Sequence, residues 1–365
     1  MRLNWFSPLP PARTGVAEFT ARILPALAQR FDVTLWTETN EYDREIARHA
    51  AVRLFAELSA TDCDPGAISV FNIGNNRAFH EKILHLCREH PGIVILHELD
   101  LPELRARFSF KAPRMSPMQL ALRRAIGAMV HSRAAREIAQ KEARCPVRFH
   151  FLPYPASDIP PTRRQDRNGV ARLIIFGFLD ANRRLETVLR ALQSYPRKGE
   201  LRLDIYGELS KPLALRRLTE KLALKDIVTF HGFVPSDELD KALDRADLAI
   251  NLRHPTMGEA SGSQLKIWDD ALPSLVTPTG SYVDLPPGTV GLVNVEKEIA
   301  DLRHHFDMLL RDPEFYCRMG EQGRAALISN HRPADYVDAM AALVDDAQRF
   351  ISPARGEKIG QGARI

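Results

Sequence analysis

Short apolar runs alternate with amphipathic stretches along the chain, and the alternation starts afresh once, after a polar, proline-rich break. That rhythm constrains the fold more than any other feature. A strand followed by a helix must cross over to reach a parallel neighbour, so the pattern predicts an α/β protein with parallel sheets. The first round opens on RLNWF and runs through FDVTLWT, AISVFNIG, GIVILHE and AIGAMVHS, with the helix RAAREIAQKEA next and VRFHFLPYP closing it. Val16, Phe19, Ile23, Leu24 and Leu27 share one helical face, and Pro25 among them predicts a kink or local break. The second round opens on RLIIFG, the loop FLDANRR and the helix LETVLRALQSY. LRLDIYG, IVTFHG, DLAINLR and PSLVTP follow as strands, and from about residue 297 the pattern is helical.

The length of 365 residues and an apolar content of 45% suit two cores. The expected division is a first Rossmann-like domain over 1–156, a linker over 157–169 and a second Rossmann-like domain over 170–332. A helix over 333–352 is expected to return to the first domain, and 353–365 reads as a flexible tail. Doubly wound sheets bind ligands beyond the carboxyl ends of their strands. Two such halves facing each other would make a cleft, a common ligand site.

A net charge of +4, with no basic run interleaved with aromatics, argues against a nucleic-acid partner. Cys63, Cys87, Cys145 and Cys317 form no C-x-x-C and read as reduced thiols of a cytoplasmic protein, neither a disulfide framework nor a zinc site. No apolar run approaches the roughly 20 residues of a membrane span. The apolar start runs into prolines, unlike a signal peptide.

Four loops have residues suited to chemistry. Gly15, in SPLPPARTGVAEF, lies where a strand turns into a helix, so it serves either packing or the approach of an anion to the helix N-terminus. Arg183 and Arg184 precede a helix, where cations oppose the dipole unless a phosphate offsets them; the alternative is a solvated pair. In PTMGEASGS the amides of Ser261, Gly262 and Ser263 suit a phosphate nest and Glu259 suits sugar hydroxyls, or Ser261 simply caps a helix with Glu259 at its rim. His97 ends a strand, as a cleft residue or a structural one. His80, His85, Cys87 and His90 have no metal-site spacing and read as a solvated helix face. The only G-x-G, Gly360 to Gly362, is in the tail, and no P-loop occurs, which argues against nicotinamide or flavin cofactors. No Ser-His-Asp order or nucleophile elbow is found.

Taken together, FSPLPPARTGVAEFT, FNIGNNRAFHEKILHLCREHPGIVILHE, FGFLDANRRLETVLRAL, FHGFV, PTMGEASGS and GSYVDLPPG resemble, in order, the motifs of family-four GT-B-fold glycosyltransferases of the bacterial polysaccharide branch. The resemblance covers residues 1 to about 345. It implies a retaining hexosyltransferase that moves a sugar from a nucleotide diphosphate sugar to a saccharide or lipid-linked saccharide acceptor, without a bound metal or other cofactor. The acceptor would belong to the first domain and the donor to the second. Gly15 would approach the donor phosphate or the acceptor, His97 would contact the donor sugar, and Arg183 would neutralise the diphosphate. Ser261, Gly262 and Ser263 would offer it amides, and Glu259 would hold sugar hydroxyls. Two positions depart from the family pattern. Lys266 stands where a second, ribose-binding glutamate belongs and is expected to meet a phosphate instead; Phe178 stands where an arginine belongs. These departures keep a second reading open, a weakly active or inactive sugar-nucleotide-binding subunit. A sugar-nucleotide epimerase is the third. A lipid-linked acceptor would bring the chain to the inner face of the membrane.

Overall fold

The computed structural model describes residues 1–58, 66–108, 115–158, 161 and 169–351. Most of the expected linker, the tail with Gly360 and Gly362, and Cys63 lie outside the described residues. The chain divides into two units, Met1–Phe151 with Pro333–Ile365, and Leu152–Arg332.

In the first unit β1 (Arg2–Phe6), β2 (Asp32–Thr37), β3 (Ala51–Leu54), β4 (Ala67–Ile73), β5 (Gly92–Leu96), β6 (Ala125–Val130) and β7 (Val147–Phe149) form one parallel sheet. Its order is β3-β2-β1-β4-β5-β6-β7. Between the strands run α1 (Gly15–Arg30), α2 (Arg77–Glu89), α3 (Pro102–Phe108), α4 (Pro117–Leu122) and α5 (Arg133–Glu142). The GIVIL and AIGAMV strands are buried throughout, which is why they read as unbroken apolar runs rather than alternating ones.

Three expectations need correction here. Pro25 does not break α1, which continues to Arg30 with Pro25 exposed. Val16, Phe19, Ile23, Leu24 and Leu27 are all buried, and at about 2 kcal/mol each they outweigh the ~3 kcal/mol cost of one proline. The α2 histidines do not form a solvated face: His80 and Cys87 are 1% exposed, His90 is half-buried and only His85 of the four is exposed. The run VRFHFLPYP supplies only the three residues of β7. The half-exposed edge strand AVRL, β3, has no apolar run to announce it.

The second unit repeats the plan. β8 (Ala171–Phe176), β9 (Leu201–Tyr206), β10 (Val228–Gly232), β11 (Leu248–Ile250), β12 (Ser274–Val276) and β13 (Gly291–Leu292) form a parallel sheet ordered β10-β9-β8-β11-β12-β13. α6 (Leu185–Ser194), α7 (Pro212–Lys221), α8 (Ser236–Arg245), α9 (Gly262–Asp269), α10 (Glu298–Arg311) and α11 (Pro313–Asn330) complete it. The last helix, α12 (Pro333–Ile351), is part of the first unit, where it packs on β6 and α1. No helix among the described residues is long and apolar enough to cross a membrane.

The α11 helix lies close on its neighbours because it presents glycines. A Cβ built on Gly320 would stand 2.0 Å from the Ala271 carbonyl oxygen, and one on Gly323 would stand 2.3 Å from the Trp268 ring. Backbone cannot yield as a flexible side chain does. Gly320→Ala is therefore expected to lower the stability of this unit by about 1–3 kcal/mol or more, measured by urea unfolding. Gly199→Ala, where nothing lies within 4 Å, is expected to leave it unchanged.

In each sheet the strand order reverses beside the first strand, between β1 and β4 and between β8 and β11. Crevices outside the carboxyl ends of strands open at such reversals. The loops there are Ser7–Thr14 and Gly74–Asn76 in the first unit, and Gly177–Arg184 and Asn251–Ser261 in the second.

Candidate functional site

The second unit builds its switch-point loops with unusual backbone. Gly177 follows β8 at φ 110°, and Gly207 follows β9 at φ 122°. A Cβ on Gly207 would stand 2.0 Å from the Gly177 carbonyl oxygen, so the two turns can nest only as glycines. A Cβ on Gly177 would lie 3.1 Å from Ser263 Oγ, which brings the β8 loop against the start of α9.

A buried polar network fixes that helix end. Asn251, just past β11, donates from Nδ2 to Ser261 Oγ (3.3 Å) and Gln264 Oε1 (2.9 Å), and Gln264 Nε2 donates to Ser274 Oγ (2.7 Å). Ser261 Oγ accepts from the Gln264 amide at 3.2 Å, capping the helix. The amides of Gly262 and Ser263 have no partner inside the helix, so the helix end presents two N–H donors and the positive end of its dipole.

Arg183 lies on the neighbouring loop. It is 4% exposed and donates from Nη2 to the Phe176 carbonyl at 3.2 Å, immediately before Gly177. Among the described residues its Nε has no hydrogen-bond partner, and neither does the hydroxyl of Tyr282, also buried. Burial, and next the nearby Arg253 charge, bring the Arg183 pKa down to about 10; Tyr282, Glu259 and Asp180 oppose this. The His254 amide donates to the Asn182 carbonyl at 2.8 Å, so the Arg183 and Arg253 loops are joined.

The other expected donor residues are arranged differently from the sequence reading. Arg184, in the left-handed conformation (φ 57°), forks onto Glu298, Nε to Oε1 at 2.9 Å and Nη2 to Oε2 at 2.7 Å. The Glu298 hydrogen bond holds its pKa up. Nor is the arginine pair solvated. Lys266 is likewise engaged, 2.6 Å from Asp240 and 3.6 Å from Asp270. Burial lowers its pKa, and these carboxylates raise it further than burial lowers it. Glu259 is not at the rim but 7% exposed, with both carboxylate oxygens taken. Oε1 is 2.9 Å from Arg253 Nη1, while Oε2 accepts from the Met257 amide (2.6 Å) and the Thr256 hydroxyl (3.1 Å). Phe178 is half exposed.

In the first unit the organising residue is Asn72, a buried amide in the largely apolar β4. Its Nδ2 donates to the Phe6 carbonyl at 3.1 Å, which leaves Oδ1 to face His97 Nε2 at 3.0 Å. His97 must then carry its proton on Nε2 and keep a lone pair on Nδ1. The Asn72 carbonyl accepts from His80 Nδ1 at 3.1 Å. The His97 ring is 4.8 Å from Phe19 and 5.1 Å from His131, and Tyr336 of α12 is 5.7 Å from both Phe19 and His131. Burial above all, then the His131 and His80 rings, pushes the His97 pKa well below its usual value. Burial brings His131 and His80 each to about 4. All three imidazoles are neutral at pH 7. Gly15 is exposed at the start of α1, behind its cap Thr14, with nothing within 4 Å of an added Cβ.

Sequence reasoning missed Asn72, Arg253 and Tyr282. A lone asparagine in an apolar strand was a readable signal. Arg253 and Tyr282 carried none, because only tertiary structure joins their loops to Arg183.

Residues 163–326 match the family model described as glycosyl transferases group 1. No curated protein matches the sequence. Among solved structures, Anabaena Alr3699/HepE in complex with UDP and glucose superposes with a TM-score of 0.72 at 12% identity, over 94% of this chain and 99% of that one. Sucrose-phosphate synthase from Thermosynechococcus elongatus gives 0.70 at 15%, over 96% and 100%. WaaG, a glycosyltransferase involved in lipopolysaccharide biosynthesis, gives 0.58 at 14%, over 93% and 99%. At such identities the likeness shows the fold, which is GT-B: two Rossmann-like units of seven and six strands.

Proposed function

We propose, from the group 1 match over residues 163–326 and the GT-B fold, that this chain moves a hexose from a nucleoside diphosphate sugar to an acceptor hydroxyl with retention of configuration. The observation that carries this reading is the Arg183 guanidinium, buried, bonded to the Phe176 carbonyl just before the Gly177 turn that lies against Ser263, and with its Nε unpartnered among the described residues. Burying an incompletely bonded cation is unfavourable by about 1–3 kcal/mol, and an anionic ligand offsets that. HepE has been solved with UDP and with UDP-glucose, which favours UDP as the nucleotide to try first.

The chemistry follows from charge. As the anomeric carbon leaves the β-phosphate oxygen, negative charge grows on the diphosphate. Arg183 and the amides of Gly262 and Ser263 are fixed donors aimed where that charge develops. The acceptor oxygen bonds to the anomeric carbon, and its proton leaves with the diphosphate. In the first unit His97, held by Asn72, offers Nδ1 to accept from a sugar hydroxyl. The open space at Gly15 lets a phosphate or acceptor reach the α1 N-terminus. The product we assign is a cell-surface or secreted polysaccharide, built on a saccharide or lipid-linked saccharide acceptor at the inner membrane face.

The test is a transfer assay of the whole chain with radiolabelled UDP-, GDP- and ADP-hexoses and saccharide acceptors. Label transferred to the acceptor with retained configuration is the expected result; inverted product would overturn the stereochemical reading. Tight binding with neither transfer nor hydrolysis would favour the partner-subunit reading. The carboxylate-bound Lys266, at the position of a ribose-binding glutamate, supports that alternative. Epimerisation of the sugar nucleotide without any acceptor would favour the epimerase reading.

A further inference from the structure

We propose that Arg253 is a second ligand of the donor diphosphate, and that Glu259 is the positioning residue that holds it there rather than a sugar ligand; the proposal rests on the sugar-nucleotide reading above. Arg253 stands on the loop after β11, the strand that shares a switch point with β8. Its backbone is pinned on both sides: its amide donates to Thr277 Oγ1 (3.1 Å) and its carbonyl accepts from Thr279 Oγ1 (3.0 Å). Glu259 then fixes the side chain through Nη1.

The exposure of the pair is unequal in the direction a ligand requires. The Arg253 side chain is 16% exposed and the Glu259 side chain 8%, so the guanidinium is the more accessible partner. The Glu259 carboxylate spends three of its roughly four lone-pair positions on Arg253, Met257 and Thr256, which leaves little of it to hold a sugar. Arg183 and Arg253 lie in each other's field, with Glu259 the buried carboxylate in the same field. Asp180, also in that field, is exposed and screened by solvent. The buried Tyr282 hydroxyl, unpartnered among the described residues, lies in the same field. A diphosphate has enough oxygens to accept from both guanidinium forks and this hydroxyl together.

Calorimetry of the whole chain tests this, with UDP, GDP, ADP and CDP screened and the tightest taken as probe beside its nucleoside. Arg253→Met is expected to weaken the diphosphate at least tenfold and the nucleoside less than twofold. Where that variant does not fold, Arg253→Met/Glu259→Gln leaves no unpaired buried charge and carries the same expectation. Glu259→Ala is expected to weaken the diphosphate itself about tenfold. Glu259→Gln, whose amide oxygen still accepts from Arg253, is expected to restore affinity to within threefold of the parent. If both Glu259 variants keep full diphosphate affinity and lose only affinity for the sugar nucleotide, Glu259 is a sugar ligand and the proposal fails. Equal losses of diphosphate and nucleoside in Arg253→Met would also overturn it. A parent chain that binds no nucleoside diphosphate would instead end the sugar-nucleotide reading itself, and this proposal with it.

Discussion

Replacing Arg183 by alanine or methionine is expected to weaken nucleoside diphosphate binding about a hundredfold, ~2.7 kcal/mol, while nucleoside binding changes less than threefold. The size follows from what is lost, charge-assisted hydrogen bonds in a site that excludes water. The selectivity follows from position, since Arg183 is held at Phe176 and beside the α9 start. The free protein is expected to behave differently from the complex. Burial and Arg253 already disfavour the Arg183 charge, so Arg183→Met should keep its unfolding temperature within a few degrees of the parent. What it should lose is the stabilisation that a saturating diphosphate gives the parent, about 2.7 kcal/mol at a hundredfold excess over Kd. Calorimetry and thermal unfolding with and without UDP measure both halves. Equal losses for nucleoside and diphosphate would contradict the assignment.

The second large effect is expected in acid. His80 and His131 have pKa values near 4 in the folded first unit, and His97 is also lowered, against about 6.5 when unfolded. Between those values the unfolded chain binds protons that the folded chain refuses, so stability falls as pH drops through 6.5 toward 4. Each group contributes up to ~1.4 kcal/mol per pH unit. His80 and His131 together give a loss of about 4 kcal/mol between pH 7 and pH 5, and the lowered His97 adds in the same direction, which lowers the unfolding temperature of a unit this size by about ten degrees. The groups facing the cluster do not reverse the sign. His150 adds a like charge beside His131 on protonation, and burial holds the Tyr336 hydroxyl neutral. Thermal unfolding of the whole chain from pH 7 to pH 5 measures the slope, and His131→Gln should flatten it by about a third. An unfolding temperature constant over that range would contradict the buried-histidine account.

The elements most legible from sequence were those whose local chemistry and burial agree. GIVIL and AIGAMV could be read because a strand covered on both faces has no polar alternation to disguise it. The capping role of Ser261 was one of two open readings, and local hydrogen bonding realises it. The break that Pro25 allowed is absent because the apolar face of α1 outweighs a local steric penalty. At the candidate site, what could be read was which loops carry polar and small residues. Which partner each side chain would choose could not. Arg184, Lys266 and Glu259 all looked available in the sequence, and each is taken by a residue distant in the chain or by a turn of its own loop. Arg253 and Tyr282 looked like ordinary loop residues until the β11 and β12 loops were brought to Arg183.

A crystal structure of the chain grown with UDP tests the central claim most directly. The account predicts the β-phosphate within about 3 Å of the Arg183 guanidinium and of the Gly262 or Ser263 amide, at the β8–β11 switch point. A diphosphate seated elsewhere on the second unit, with Arg183 untouched and the start of α9 bare, would contradict it.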